Sequence, residues 1–339
     1  MAKSTMTTSN ALTKKLWHEM LFKDVQINSY FDRFSGPEDT NIMQVVRDFE
    51  GSKGDVVTFG IVPRLNKELI TNNDIEGNEA KLTDYNFTLS LQQLALAVRD
   101  DGKLSRQRAM YDIDAVSKSA LLVNVAEKLD QKYMDTLTAN PTKVFYPGGS
   151  LLTSTTTLAT ALTNITATDK ITMDMFRNMK AWARTGGGRN YIPLRQVSVS
   201  GKMYMVFLCH PDTLADLQND PKWAQAQREA ELRGPDNPIF TGAEGVINGI
   251  AIHSHEHVSV GTDAGSTADV SYSQSMLLGA QALCTAWAGK PDLVTKEFQY
   301  DTEHGTAWVS LWGCAKPKFS SKDYGSVSIV TANSNIRGL

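Results

Sequence analysis

A chain of 339 residues exceeds one small domain and predicts two structural units, or one domain with large insertions. With 41% hydrophobic and 21% charged residues its composition is that of an ordinary globular protein, and a formal net charge of −3 argues against coating nucleic acid by charge alone. No run approaches the roughly 18 apolar residues of a membrane-spanning helix, and residues 1–20 show neither the apolar core nor the cleavage pattern of a signal peptide. Cys209, Cys284 and Cys314 are far apart and form no Cys-x-x-Cys pair, which predicts buried free thiols in a reducing compartment.

Residues 1–50 are polar and then mixed. Trp17, Met20, Leu21 and Phe22 form a short apolar cluster in a predicted helix. An N-terminal arm that orders against another surface is expected. At KGDVVTFGIVP (53–63) the pattern becomes period two, with Val57, Phe59 and Ile61 on one face. It returns at YNFTLSLQQLALAV (85–98), where Tyr85, Phe87, Leu89 and Leu91 share a face. After Gln92-Gln93 the phase flips to Leu94, Leu96 and Val98, which predicts a β-bulge or bend. Between the two strands lies a long charged connection, RLNKELITNNDIEGNEAKLT (64–83). Connections of that length are uncommon inside a compact domain and are usually functional.

The strongest helical pattern follows at 104–140. Ala109, Ile113, Val116, Ala120 and Val123 step by three or four, as do Leu122, Ala126, Leu129, Tyr133 and Leu137. Ser105 is the expected N-cap, Pro141 closes the far end, and the length would be roughly 50 Å at 1.5 Å per residue. Residues 148–170 predict turns with a short strand or helix, and 172–184 predict a second helix ending at a glycine-rich loop, TGGGRN. A strand over MYMVFLC (203–209) runs into a helix capped by Asp212 or Thr213 and continuing toward Trp223. Glycine-rich turns are expected over 233–250, and strands over 249–260, 275–287, 306–312 and 325–332. The class is α+β.

Chemistry is sparse. His253, His255 and His257 in AIHSHEHVSV are weak candidate metal ligands, and Glu76 and Glu79 with Asp74 read as a solvated or ion-paired contact loop ahead of a weak cation site. On a strand the three histidines would share a face, but neighbouring same-face Cβ positions lie about 6.5–7 Å apart and the outer pair about twice that. A single Zn²⁺ is then poorly served, and Glu256 points away as a base. The expectation is no metal site, with the histidines facing solvent or a neighbouring subunit. TGGGRN lacks the Lys-Ser/Thr of a phosphate loop, and no Ser-His-Asp or Cys-His set assembles from spacing. No catalytic residue and no cofactor are expected.

KLWHEM, KGDVVTFGIVPRL, IEGNEAKLTDYNFTLSLQQLALAV, SRQRAMYDI, FLCHPDTLADLQND, NPIFTGAEGVINGIAIH, LLGAQAL and the closing KPKF…DYGSVSIVTA follow one another in an order and spacing that resembles a known family. From about Leu16 to about Thr331 the chain is similar to the major capsid proteins of tailed bacteriophages, in the branch that includes the coat protein of the N-four-type podophages. The resemblance implies the Hong-Kong-97-type capsid fold. Its parts would be an N-terminal arm (1–52), an extended loop hairpin (53–100), a peripheral domain with the spine helix (101–171), an axial domain (172–298) and return strands of the peripheral domain (299–339). It also implies self-assembly into hexamers and pentamers that close an icosahedral head in the host bacterial cytoplasm. Partners would be portal, scaffolding and decoration proteins and double-stranded DNA held without sequence-specific contacts; no membrane is implied. Arg64, Lys67, Glu68, Asp74, Glu76, Glu79 and Lys81 on the extended loop are the expected intersubunit contacts. Alternative readings are an encapsulin-like nanocompartment shell and a histidine-based metallohydrolase.

Overall fold

The computed structural model describes residues 30–46, 56–61, 71, 75–77, 79, 85–109, 112–148, 151–155, 157–185, 193–199, 202–225, 245–288, 292–319 and 321–334. The predicted helix around Trp17, most of the 64–83 connection, the TGGGRN loop and the turns over 233–244 lie outside the described residues.

A 3-10 helix (Tyr30–Phe34) leads into β1 (Ser35–Gly36) and β2 (Met43–Val46). The hairpin strands β3 (Val56–Ile61) and β4 (Tyr85–Ser90) follow, and β5 (Gln92–Arg99) continues from them. Next come α1 (Lys103–Arg108), α2 (Ile113–Thr138), β6 (Val144–Gly148), β7 (Leu151–Thr155), α3 (Leu158–Asn164) and α4 (Met173–Thr185). β8 (Val197–Val199) and β9 (Lys202–Cys209) precede α5 (Pro211–Gln218), β10 (Gly245–Ile247), β11 (Ile250–Ser254), β12 (Val260–Ala264) and β13 (Val270–Leu278). The chain closes with β14 (Leu283–Trp287), β15 (Asp292–Phe298), β16 (Glu303–Ala315), β17 (Lys318–Phe319), β18 (Lys322–Asp323) and β19 (Ser326–Ala332).

Two large sheets organise most of these strands, and β3-β4 and β17-β18 pair separately. The nine-stranded sheet runs β10-β11-β9-β13-β19-β6-β7, with β12 on β13 and β8 on β9. The six-stranded sheet runs β1-β2-β14-β16-β15, with β5 on the other edge of β16. Sheet membership does not follow the cuts expected at 171/172 and 298/299. β6 and β19 join the sheet of β9 and β13, while β14 and β15 join the sheet of β5 and β16.

The central strands are apolar on both faces because both are covered. Met205, Phe207 and Cys209 of β9 pack with Phe176 and Met179 of α4 and Leu217 of α5. Val206 and Leu208, facing the other way, pack with Tyr133, Met134 and Leu137 of α2 and with Met276. Phe31, Met43, Leu283 and Trp312 belong to that same cluster, so α2 ties the two sheets together.

Several sequence expectations change in detail. The long helix is two helices: Ala109 is extended at ψ 138°, and the 26-residue α2 starts afresh at Ile113, with Asp112 Oδ1 accepting the Asp114 N–H at 3.0 Å. Ser105 sits inside α1 and caps nothing. At 1.5 Å per residue α2 spans about 39 Å. Its buried stripe is Leu121, Val125, Tyr133, Met134 and Leu137, whereas Leu122 is 51% exposed. The cap of α5 is His210, whose Nδ1 accepts the Asp212 N–H at 3.1 Å, and that helix ends at Gln218 with a further turn at 221–225. The strand expected over 275–287 breaks at residues 279–282, and β12 and β15 were not legible from pattern.

The hairpin follows its period-two pattern. Val57, Phe59 and Leu89 are buried, while Val56, Thr58, Asn86 and Ser90 are exposed. The phase flip is a change of sheet: β4 pairs with β3, and after Leu91 the chain pairs with β16 as β5. The hairpin root rests on the six-stranded sheet, where Val57, Phe59 and Leu89 pack against Cys284 and Ala286. Gly313 permits this approach. A Cβ there would collide with Leu89 Cδ2 and lie 2.6 Å from the Ser90 carbonyl oxygen. Gly313→Val is therefore expected to cost about 1–3 kcal/mol, seen as a lower urea midpoint, while Leu122→Ala on the exposed side of α2 should change it by less than about 0.5 kcal/mol.

Candidate functional site

The histidine segment does not lie on one strand. β11 ends at Ser254, so His253 is in the strand and His255 and His257 are in the turn beyond it. The turn is held by the His255 N–H donating to the Cys209 carbonyl at 2.9 Å and the Val258 N–H donating to the His255 carbonyl at 3.3 Å. His255 Nδ1 accepts the His257 N–H at 3.2 Å, so that nitrogen is already committed. Among the described residues no group of three His, Cys, Asp or Glu side chains could hold a metal ion.

The three histidines are partly buried, and His253 and His255 pack against the chain's own 3-10 helix. The Tyr30 ring lies 4.6 Å from His255, and the Phe34 ring stands at 90° to His253 at 5.3 Å. His255 and His257 lie 5.1 Å apart. Asp130 of α2, only 2% exposed, completes the seat by accepting the Tyr30 N–H at 2.7 Å, with the Phe31 N–H at 3.5 Å. The unpaired N–H groups that begin the 3-10 helix thus meet a buried carboxylate. The segment that held the weak metal-ligand candidates seats the 3-10 helix Tyr30–Phe34.

Of the expected contact residues, Glu76 and Glu79 are described; Arg64, Lys67, Glu68, Asp74 and Lys81 lie outside the described residues. Glu76 and Glu79 are exposed beside Ile75, which is 72% exposed. Gly77 sits at φ +84°, and its N–H donates to Glu79 Oε2 at 2.9 Å. This describes an apolar tip flanked by carboxylates on a turn that requires glycine.

Two polar clusters had no sequence signal, because their members are far apart in the chain. In the first, Asp100 joins the hairpin end to α1 and β16. Its Oδ1 accepts the His304 N–H at 2.5 Å, and its Oδ2 lies 2.5 Å from Arg106 Nε. Burial alone would raise the Asp100 pKa, but the His304 N–H and the Arg106 guanidinium outweigh it and hold the carboxyl below its usual range. His304 Nδ1 in turn lies 3.2 Å from Asp114 Oδ2 at the start of α2. An open cavity of about 490 Å³, lined by Lys118, Lys296, Glu297 and His304, adjoins this joint.

The second cluster is buried. Lys316 Nζ lies 3.2 Å from Asp323 Oδ1 and donates to the Ala139 carbonyl at 2.9 Å, just past the end of α2. Asp323 Oδ2 accepts the Thr142 N–H at 2.7 Å. Lys143, 1% exposed, completes the group. Burial pushes its ammonium down to about 8, against the opposing pull of Asp323. Burial pushes the Cys284 thiol up to about 12 and raises Cys314 as well, which favours the protonated thiol at both.

What the geometry provides is polar joints between distant elements. Residues 5–335 match the family model described as phage capsid protein. The chain belongs to that family. The major capsid protein of Pseudomonas phage KPP25 is 26% identical over 364 residues, covering 94% of this chain and 95% of that protein. Among solved structures, the capsid of Ralstonia phage GP4 aligns with a TM-score of 0.81 at 22% identity, covering 99% of both chains. The capsid of cyanophage Pam1 aligns with a TM-score of 0.77 at 19% identity, covering 99% of this chain and 100% of that one. The capsid protein therefore has the Hong-Kong-97-type fold.

The buried charges yield two expected outcomes. Asp323→Ala strands two buried lysines and should cost about 3–5 kcal/mol in urea unfolding. Because the folded-state pKa of Lys143 is lowered, the folded chain binds fewer protons than the unfolded chain between about 8 and 10.5. Its contribution to stability thus rises with pH across that window. The stability difference between the parent and Lys143→Met should shift in the parent's favour from pH 8 to pH 10.

Proposed function

We propose that this major capsid protein self-assembles into hexamers and pentamers that close an icosahedral head around packaged double-stranded DNA, in a structural role without catalysis. The observation that carries the reading is the hairpin. Among the described residues its root, β3 and β4, packs on the body, while Ile75, Glu76 and Glu79 are exposed. A long loop with a buried root and an apolar, charged tip is suited to reach a neighbouring subunit. The arm (1–52) and the loop (53–100) would each lie over an adjacent copy. Arg64, Lys67, Glu68, Asp74, Glu76, Glu79 and Lys81 would then set register between copies more than they add affinity. Many weak contacts per copy add through multivalency.

A net charge of −3 supports a shell that encloses DNA without gripping its sequence. Portal, scaffolding and decoration proteins are the further partners this reading implies, with assembly in the bacterial cytoplasm. The phage capsid family membership favours it over a nanocompartment shell or a metallohydrolase. Negative-stain microscopy of the expressed chain should show shells or capsomers. Deleting residues 66–80 should leave a folded, soluble protein that forms none. Normal particles from that deletion would remove the loop from the mechanism.

A further inference from the structure

α1 is a short link with little of its own to hold it in place. None of its six residues is buried, and its N-cap, Gly102, supplies no side-chain hydrogen bond. Among the described residues its side-chain bonds to the body come from Arg106. Nε lies 2.5 Å from Asp100 Oδ2, and Nη2 donates to the Thr302 carbonyl at 2.7 Å. Nη1 lies 3.2 Å from both ring nitrogens of His304. An atom equidistant from Nδ1 and Nε2 cannot lie along either in-plane lone pair, so the guanidinium lies over the face of the imidazole.

The edge of the same ring meets carboxylates. Nδ1 lies 3.2 Å from Asp114 Oδ2 of α2, and Nε2 lies 3.9 Å from Oε1 of Glu297, the residue directly across the β15–β16 ladder. Lys118 of α2 and Lys296 of β15 line the adjoining cavity, and Arg99 of β5 pairs with Glu303 of β16. The two protonation states of the ring therefore suit different partners. A neutral imidazole accepts the guanidinium over its face and shares its one proton with Asp114. An imidazolium satisfies both carboxylates but sets a second cation against Arg106. The His304 side chain is 32% exposed, and the cavity of about 490 Å³ beside it leaves room for the ring to turn toward Glu297.

We propose that His304 is a proton-operated latch for α1: neutral, it lets Arg106 lock the helix to β16, and protonated, it turns to Asp114 and Glu297 and loosens the helix. Histidine is the side chain that ordinarily changes charge between about pH 5 and 8. Despite burial, the His304 N–H and Arg106 hold the Asp100 carboxyl below its usual range, so Asp100 keeps its charge while His304 changes. The docked helix favours the neutral ring. The docked state thus binds fewer protons than the loosened one, and docking weakens as pH falls. α1 joins β5, which continues from the hairpin, to α2 across the extended residue Ala109. Loosening α1 therefore frees the angle between the hairpin and α2. The latch is a property of the single chain and stands apart from the assembly reading.

Hydrogen exchange read by mass spectrometry on the unassembled full chain tests it. In α1 the Arg106 and Ala109 N–H groups donate to the Gly102 and Ser105 carbonyls. After correction for the intrinsic pH dependence of exchange, their protection should fall about tenfold from pH 7.5 to pH 5.5. In His304→Asn, which cannot take up the charge, the fall should be less than about twofold. Protection of α2 should hold steady at both pH values. Unchanged α1 protection in the parent overturns the proposal, as does a tenfold fall that persists in His304→Asn or a parallel fall in α2. Arg106→Gln distinguishes a latch from a structural histidine, and replaces His304→Asn if that chain does not fold. Without the guanidinium α1 should be weakly protected to the same degree at both pH values; a pH-dependent fall retained there overturns the latch.

Discussion

The constraint on which the molecule turns is that β16 must satisfy two faces at once. Strand geometry sends alternate side chains to opposite sides. In β16 one set, including Thr306, Trp308 and Ser310, is buried and faces α2. The other set runs Gly305, Ala307, Val309, Leu311 and Gly313, all small or aliphatic. This second set admits the hairpin root at Gly313 and leaves the rest of the face open. Since β16 pairs with β5, β14 and β15, its alternation sets where the hairpin leaves the body.

α2 passes this constraint to the rest of the chain. Its first half packs on Trp308, and its second half enters the cluster shared by both sheets. Asp130, at the middle of the helix, seats the 3-10 helix, and the helix end is met by Lys316. Buried ion pairs such as Lys316–Asp323 add little net stability, since desolvation consumes most of the Coulombic gain. Their strength is directional: exchanging one partner leaves an uncompensated charge, so the C-terminal end of α2 has one acceptable position against β18.

How much of this was legible in the sequence follows from the range of each interaction. Period two is local, so the hairpin strands and the phase change at Leu91 were readable, although only the structure shows that the phase change is a switch of sheets. The helical period runs unbroken through Ala109 and Ile113, which hid the break; the signal was Asp112, a good cap inside an apparently continuous helix. Leu122 fits one helical stripe and Leu121 another, and only the position of the sheets selects the second. The meaning of His253, His255 and His257 depended on Tyr30 and Phe34, more than 200 positions away, and spacing alone could not supply it. The same holds for Lys143, Lys316 and Asp323, which no short motif joins.

An open apolar sheet face beside a free strand edge is ordinarily an aggregation hazard. Here the hazard is restrained by composition. The middle of the face is alanine, so covering it removes little area from water and at about 25 cal/mol per Å² contributes little free energy. β15 carries Asp292, Lys296 and Glu297, charges that oppose indiscriminate edge pairing. A face with large side chains would bind its first partner too tightly to release a misplaced copy. Contacts that are weak singly and strong only in number allow wrong encounters to dissociate while a closed set persists.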